Sequence, residues 1–213
     1  MKIVAISDTH SYHRQISMPP NADVLVCAGD ITWKGELDII EDFCNWMKEL
    51  PYKHKVIVLG NHELGIQNSI KREPALEMIK NAGLHYLEDS SVEIDGVLFY
   101  GSPWTPYFYD WEWNLQRGPE IAEKWKKIPD ETNVLITHGP PYGILDRTPS
   151  KENVGCKDLK KRVRELSQLK CHVYGHIHLG GGSIVSINGT TFINASICTE
   201  QYQPSNKPTI LDI

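Results

Sequence analysis

The chain has 213 residues, of which 40% are hydrophobic and 23% charged, and its net charge at pH 7 is -5. That length suits one domain with a full core, and the acidic balance argues against an unaided nucleic-acid coat protein, which would show a basic face. Small anionic substrates stay open, because bound metal ions reverse the local field.

Lys2 to Ile6 reads as the first buried strand, delivering Ser7-Asp8-Thr9-His10. Asp8 and His10, two apart in a strand-end loop, can face one point, although capping of a turn by Ser7 or Asp8 explains them equally well. Asp23 to Ala28 is a second apolar strand ending in Gly29-Asp30. The glycine lets the backbone approach a ligand closely. Gly35 to Leu50 is predicted helical, with Leu37, Ile40, Phe43, Met47 and Leu50 on one face. Lys53 to Leu59 is a third strand, and it runs into Gly60-Asn61-His62-Glu63. A parallel sheet would line up these three strand ends along one edge, where open α/β sheets bind ligands.

A second helix is expected from Glu73-Pro74, with Leu76 and Ile79 inward and Gly83 at its end. The pattern then changes to hairpins. Ser91 to Ile94 and Val97 to Tyr100 flank Asp95-Gly96, and Ile184 to Ile187 and Thr190 to Ile193 flank Asn188-Gly189. Parallel units combined with hairpins imply mixed sheets. No G-x-G-x-x-G follows the first strand, which disfavours dinucleotide binding. Six aromatic residues lie between Trp104 and Trp113. They read as a flap packed on the core or as a stacking wall for an aryl group, with Trp104 and Tyr107 as candidate substrate contacts and Arg117 as a candidate phosphate contact. Val134 to Thr137 is a strand ending at His138, and Leu159, Val163, Leu166 and Leu169 mark the last clear helix. Cys171 to Tyr174 is a strand ending in Gly175-His176-Ile177-His178.

The five cysteines are odd in number and form no C-x-x-C, so they read as free thiols in a reducing compartment. No stretch has the apolar length of a signal peptide or a membrane span. The expectation is a cytoplasmic protein, a single domain over residues 1–213, with no membrane partner. His13, His54, His85 and His172 lack strand-end placement and are read as packing or surface groups, His13 also as a possible support to the site.

Asp8, His10, Asp30, Asn61, His62, His138, His176 and His178 together offer more ligands than one ion can take. They suit two borderline divalent metals with mixed nitrogen and oxygen donors. Such a pair needs a bridging group, lowers the pKa of a shared water towards ~7 and polarises a phosphate oxygen. The order D-x-H, G-D, G-N-H-E, H, G-H-x-H resembles the calcineurin-like metallophosphoesterase superfamily. Gly101 to Pro106, Thr137 to Pro141 and Ile193 to Ser196 extend the resemblance to its small metallophosphoesterase-domain-containing branch, related to cyclic-nucleotide phosphodiesterases.

The resemblance implies a fold and a set of roles. The fold is a four-layer α-β-β-α sandwich of two mixed β-sheets with the metals at one end. Asp8, His10 and His178 would bind the first metal, Asn61, His138 and His176 the second, and Asp30 would bridge them. His62 would protonate the leaving oxygen, and Glu63 would brace the loop, orienting His62 or a ligand. The implied activity is hydrolysis of a small phosphodiester, such as a cyclic nucleotide, by a metal-bridging hydroxide attacking in line at phosphorus. Manganese is the favoured metal, with iron, zinc or nickel also fitting. The chain leaves little room for a capping domain, which disfavours extended nucleic acid as a partner. Two alternatives remain: a phosphomonoesterase or protein phosphatase on the same metal core, and a binding module of the same fold without catalysis.

Overall fold

The computed structural model describes residues 1–213. Its first sheet contains β1 (Lys2–Ile6), β2 (Val24–Ala28), β3 (His54–Val58) and β4 (His85–Tyr86), all parallel. The strands of the second sheet are β5 (Ser90–Ile94), β6 (Val97–Ser102), β9 (Val134–Thr137), β10 (Cys171–Tyr174), β11 (Ser183–Ile187) and β12 (Thr190–Asn194). Between β6 and β9 a small separate pair forms from β7 (Thr105–Pro106) and β8 (Asn114–Leu115). The last strand, β13 (Thr209–Asp212), returns antiparallel onto β1. The sheet orders are β13-β1-β2-β3-β4 and β11-β12-β10-β9-β6-β5.

Each sheet has a parallel centre and an antiparallel edge. The two edge hairpins of the second sheet turn at Asp95-Gly96 and Asn188-Gly189, where all four residues have positive φ. That is the geometry whose twist matches the flanking strands, and it is why these dipeptides work there.

Burial on both faces explains the near-continuous apolar strands. Ile3, Val24, Val26, Val56 and Val58 pack with Phe99, Val134, Ile136, Val173 and Ile193, forming the layer between the sheets. The alternate residues point outward. Val4, Leu25, Cys27 and Ile57 meet α1 (Leu37–Glu49) and α2 (Arg72–Asn81) through Ile40, Phe43, Met47, Ala75 and Ile79. Tyr100, Leu135 and Tyr174 meet α3 (Pro119–Trp125) and α4 (Lys157–Glu165) through Ile121, Trp125, Leu159 and Val163. The four layers are therefore helix, sheet, sheet, helix, as the resemblance implies.

The differences from expectation are local. Gly35 is left-handed, with φ +64, so α1 starts not at Gly35 but two residues later, at Leu37, the first residue of its apolar face. In α2 the more deeply buried residue of the first turn is Ala75 rather than Leu76. Leu166 and Leu169 are buried beyond the end of α4, in the connection to β10. The sequence pattern marks no helix over α3, although Pro119 at its first turn is a start signal. All five cysteines are buried free thiols, and no helix is long and apolar enough to cross a membrane.

His172 on β10 is fully buried. Thr137 Oγ1 donates to Gly139 O at 2.7 Å, so across the 2.8 Å contact with His172 Nε2 the ring is the donor. Nδ1 then carries a bare lone pair with no partner. Burial holds this imidazole down to about 3 from its ordinary 6.5. A depressed histidine contributes stability that is complete above pH 6.5 and is lost as pH falls from there towards 3. His172→Gln keeps a donor for Thr137 but cannot titrate. Urea unfolding across that window should show a flatter pH dependence for the variant, and an unchanged slope would clear His172 of any part in acid lability.

Candidate metal centre

Five strand-end loops bring the expected residues to one end of the sandwich. Backbone bonds stitch them together: Asp8 N donates to Gly29 O at 2.9 Å, His10 N to Asp30 O at 3.1 Å, and Gly175 N to His138 O at 2.9 Å. Asp8, His10, Asp30 and His176 all hold positive φ, between 39° and 66°. Left-handed backbone at non-glycine residues costs energy and collects where geometry serves a site. Two glycines permit the close approach. At Gly29, with φ +100, an added Cβ would lie 2.8 Å from His138 Nδ1 and from the Gly60 nitrogen. At Gly175 it would collide with the Asp8 carboxylate.

The donor atoms fall into overlapping groups. Asp8, His10 and His178 each offer an atom within 4.8 Å of the others, and so do Asp30, His138 and His176. Asn61 joins the second group, its Oδ1 lying 2.8 Å from His138 Nε2. Asp30 spans the two, with Oδ1 3.3 Å from His138 Nε2 and Oδ2 3.9 Å from His10 Nε2. A third group, His10, Asp30 and His62, meets the same distance limit. His62 therefore sits close enough to be a ligand.

Hydrogen bonding tests whether these groups suit cations. His10 Nδ1 donates to Thr32 O at 3.2 Å and His178 Nδ1 to Thr199 O at 2.9 Å. In neutral rings both Nε2 atoms are then bare lone pairs, and they face each other across 3.3 Å. His138 Nδ1 donates to Ala28 O at 2.8 Å, aiming its Nε2 lone pair at two further acceptors, Asn61 Oδ1 and Asp30 Oδ1. Acceptors converging on acceptors require a proton or a metal between them. Carbonyls that fix the ring tautomer are the usual support of metal-bound histidine. The donor set fits two divalent cations.

Without metal, protons take part of that place. Burial opposes charge on His138, yet Asp30 beside it carries its pKa up to about 9. Burial likewise opposes a charged His178, but its bond to Asp8 raises it. Burial brings His10 down to about 4 and, together with the charge on His138, His176 to about 3. Burial pushes the Asp8 and Asp30 carboxyls up, but their histidine partners hold both below the usual carboxylate range. Metal binding must displace the proton on His138 and competes with protonation at His178.

The surrounding residues hold the loops. Glu63, fully buried, accepts from Gly60 N at 2.6 Å, Asp30 N at 3.1 Å and Thr32 N at 2.9 Å. It braces two ligand loops rather than the His62 ring. That ring is oriented by Trp33, whose carbonyl accepts from Nδ1 at 2.9 Å, and it packs on Trp111 at 4.4 Å. Ser196 Oγ donates to Asp8 Oδ2 at 2.7 Å. Trp33, Thr199 and Tyr202 carry no sequence signal that would have found them. Ser196 lies in a block that the resemblance had already marked.

The substrate candidates divide. Tyr107 and Arg117 line a groove of about 440 Å³ that opens onto His176 and His178. The Arg117 guanidinium donates to Gly155 O at 2.8 Å and Val154 O at 2.6 Å, which ties it to the groove wall. Trp104 is not in the groove. Its Nε1 donates to Asp89 at 3.1 Å and its ring carries Lys124 Nζ at 3.8 Å, so it packs against the α3 side instead. His13 also lies apart, bonded to Asp42 at 2.9 Å and packed on Phe43 and Trp46.

Comparison with known proteins identifies the family. Metallophosphoesterase domain-containing protein 1 of Homo sapiens is 41% identical over 100% of this chain and 71% of its own length. A UPF0046 protein of Caenorhabditis elegans is 38% identical over 100% of this chain and 75% of its own. The crystal structure of the protein TT1561 of Thermus thermophilus superposes with a TM-score of 0.62 at 12% identity, covering 91% of this chain and 88% of that one, which shows a shared fold. Residues 1–180 match the family described as Calcineurin-like phosphoesterase, so the chain belongs to that family of phosphoester hydrolases.

Proposed function

We propose that this protein hydrolyses small phosphodiesters, a cyclic nucleotide among the candidate substrates, with manganese as the favoured metal. The observation that carries the reading is the pair of converging lone-pair clusters joined at Asp30. Asp8, His10 and His178 would hold one cation, Asn61, His138 and His176 the other, and Asp30 would serve both. When bound, such a pair supplies a nucleophilic water at neutral pH and draws charge from the phosphoryl oxygens.

The chain's own residues do the rest. The carbonyls of Thr32, Ala28 and Thr199 keep His10, His138 and His178 in the tautomer that presents Nε2. The Trp33 carbonyl holds His62 Nδ1, so a protonated His62 has Nε2 free to pass its proton to the leaving oxygen. Arg117, the cation of the groove, already has donors engaged by carbonyls. A dianionic monoester asks for more positive charge than a diester, and this favours the diester.

The test compares bis-p-nitrophenyl phosphate with p-nitrophenyl phosphate, using protein stripped of metal and then restored with manganese. Metal-dependent turnover with the diester preferred is the expected result. Monoester preference would turn the reading to a phosphatase. Two metals bound with neither ester cleaved would turn it to a binding module.

A further inference from the structure

The loop after β12 reaches back over the metal ligands. Ile197 N donates to Ser7 O at 2.8 Å, and Thr199 O holds His178. At its tip Tyr202 adopts a φ of +55, a conformation that bulky side chains rarely take. Two hydrogen bonds fix the turn: Tyr202 N donates to Thr199 O at 2.8 Å, and Thr199 N donates to Gln203 O at 2.9 Å. The ring is nearly perpendicular to those of His10 at 5.0 Å and His178 at 5.2 Å, and it packs at a tilt against Trp33 at 4.7 Å. It also forms part of the wall of the 440 Å³ groove, in company with Tyr107, Phe108, Pro149 and Ile177. Tyr107 and Phe108 are 51% and 57% exposed, so the groove offers aromatic surface that no protein group covers.

From this placement we infer that Tyr202 is a specificity-determining residue, the wall against which the ester group retained on phosphorus lies, and that it selects substrates whose retained group is planar and aromatic over those with a small alkyl group. The inference rests on the phosphoester reading of the metal centre. A phosphate ester held beside His10 and His178 would have Tyr202 next to it, and a substituent directed into the groove would meet a wall of which that ring is part. The hydroxyl has no part in the argument; the ring face does the selecting.

The experiment holds the leaving group constant. Bis-p-nitrophenyl phosphate and methyl p-nitrophenyl phosphate both release p-nitrophenolate and differ only in the retained ester. The wild type should favour the aryl compound in kcat/KM by about tenfold, mainly through KM. Tyr202→Ala should lower that ratio towards the value set by the greater intrinsic reactivity of the diaryl ester, while Tyr202→Phe should keep it and metal content should stay unchanged in both. Binding of phenylphosphonate against methylphosphonate to the manganese-loaded protein, by calorimetry, reads the same wall without turnover. If no diester is cleaved but the aryl phosphonate preference exists and is lost in Tyr202→Ala, the phosphodiesterase reading fails and the wall stands. An equal ratio in wild type and Tyr202→Ala overturns the inference. A fall in metal content in Tyr202→Ala would make the residue a prop for His10 and His178 and overturn it equally.

Discussion

His62→Ala should lower diester turnover by ~10²–10⁴-fold, the usual range for loss of a positioned acid–base group, and should leave metal content unchanged. His62 is held at three points that do not involve its Nε2: the backbone N–H donates to Asp30 Oδ1 at 2.8 Å, Nδ1 donates to the Trp33 carbonyl at 2.9 Å, and the ring packs against Trp111 at 4.4 Å. Removing the side chain leaves the backbone bond to Asp30 in place, so the ligand loops should keep their course. A proton donor matters more as the leaving oxygen becomes more basic. The loss should therefore be smallest for a p-nitrophenyl leaving group and grow with phenyl and alkyl leaving groups. The grouping of His62 with His10 and Asp30 makes the opposite outcome meaningful. If elemental analysis finds that a metal has left with the side chain, His62 is a ligand and the acid lies elsewhere.

The sequence made the loops legible because each ligand sits within a few residues of a strand end, and apolar runs such as Val24–Ala28 mark strand ends clearly. The hairpins were legible because Asp95-Gly96 and Asn188-Gly189 encode their own turn geometry. What could not be read is whatever depends on pairs distant in the chain. Glu63 looked like a possible partner of the adjacent His62, yet its carboxylate takes backbone N–H groups of Asp30 and Thr32 more than thirty residues away. Tyr202 meets His10 only because Ile197 hydrogen-bonds beside β1. The aromatic run from Trp104 to Trp113 carried no periodicity to say which rings face inward. The structure buries Trp104 and Trp113 and leaves Tyr107, Phe108 and Tyr109 outside. Neither pattern nor spacing could have divided that set, because the division depends on Asp89, Lys124 and Gln67 from other elements.

Asp30→Ala should empty both halves of the metal centre and abolish hydrolysis, whereas Asp8→Ala should weaken chiefly the half that contains His10 and His178. The asymmetry follows from position. Asp8 Oδ1 approaches His178 at 3.3 Å and belongs to one group only, while the two oxygens of Asp30 face His138 on one side and His10 on the other. Metal-to-protein ratios after dialysis would separate the two variants, with circular dichroism confirming that each remains folded. Loss of a single metal from Asp30→Ala would remove the shared role. The more telling substitution is Asp30→Asn. Its amide keeps one oxygen that can still accept from His62 N, so the loop geometry survives, but the other arm becomes a donor with no lone pair and the negative charge is gone. Asn61 shows that an amide oxygen can be aimed at a ligand cluster, here beside His138. One oxygen can serve one cation, so Asp30→Asn should retain at most one metal, bind it more weakly and hydrolyse nothing. A variant that kept both metals would mean that the cations are held by their own imidazoles and that the carboxylate contributes charge without joining them.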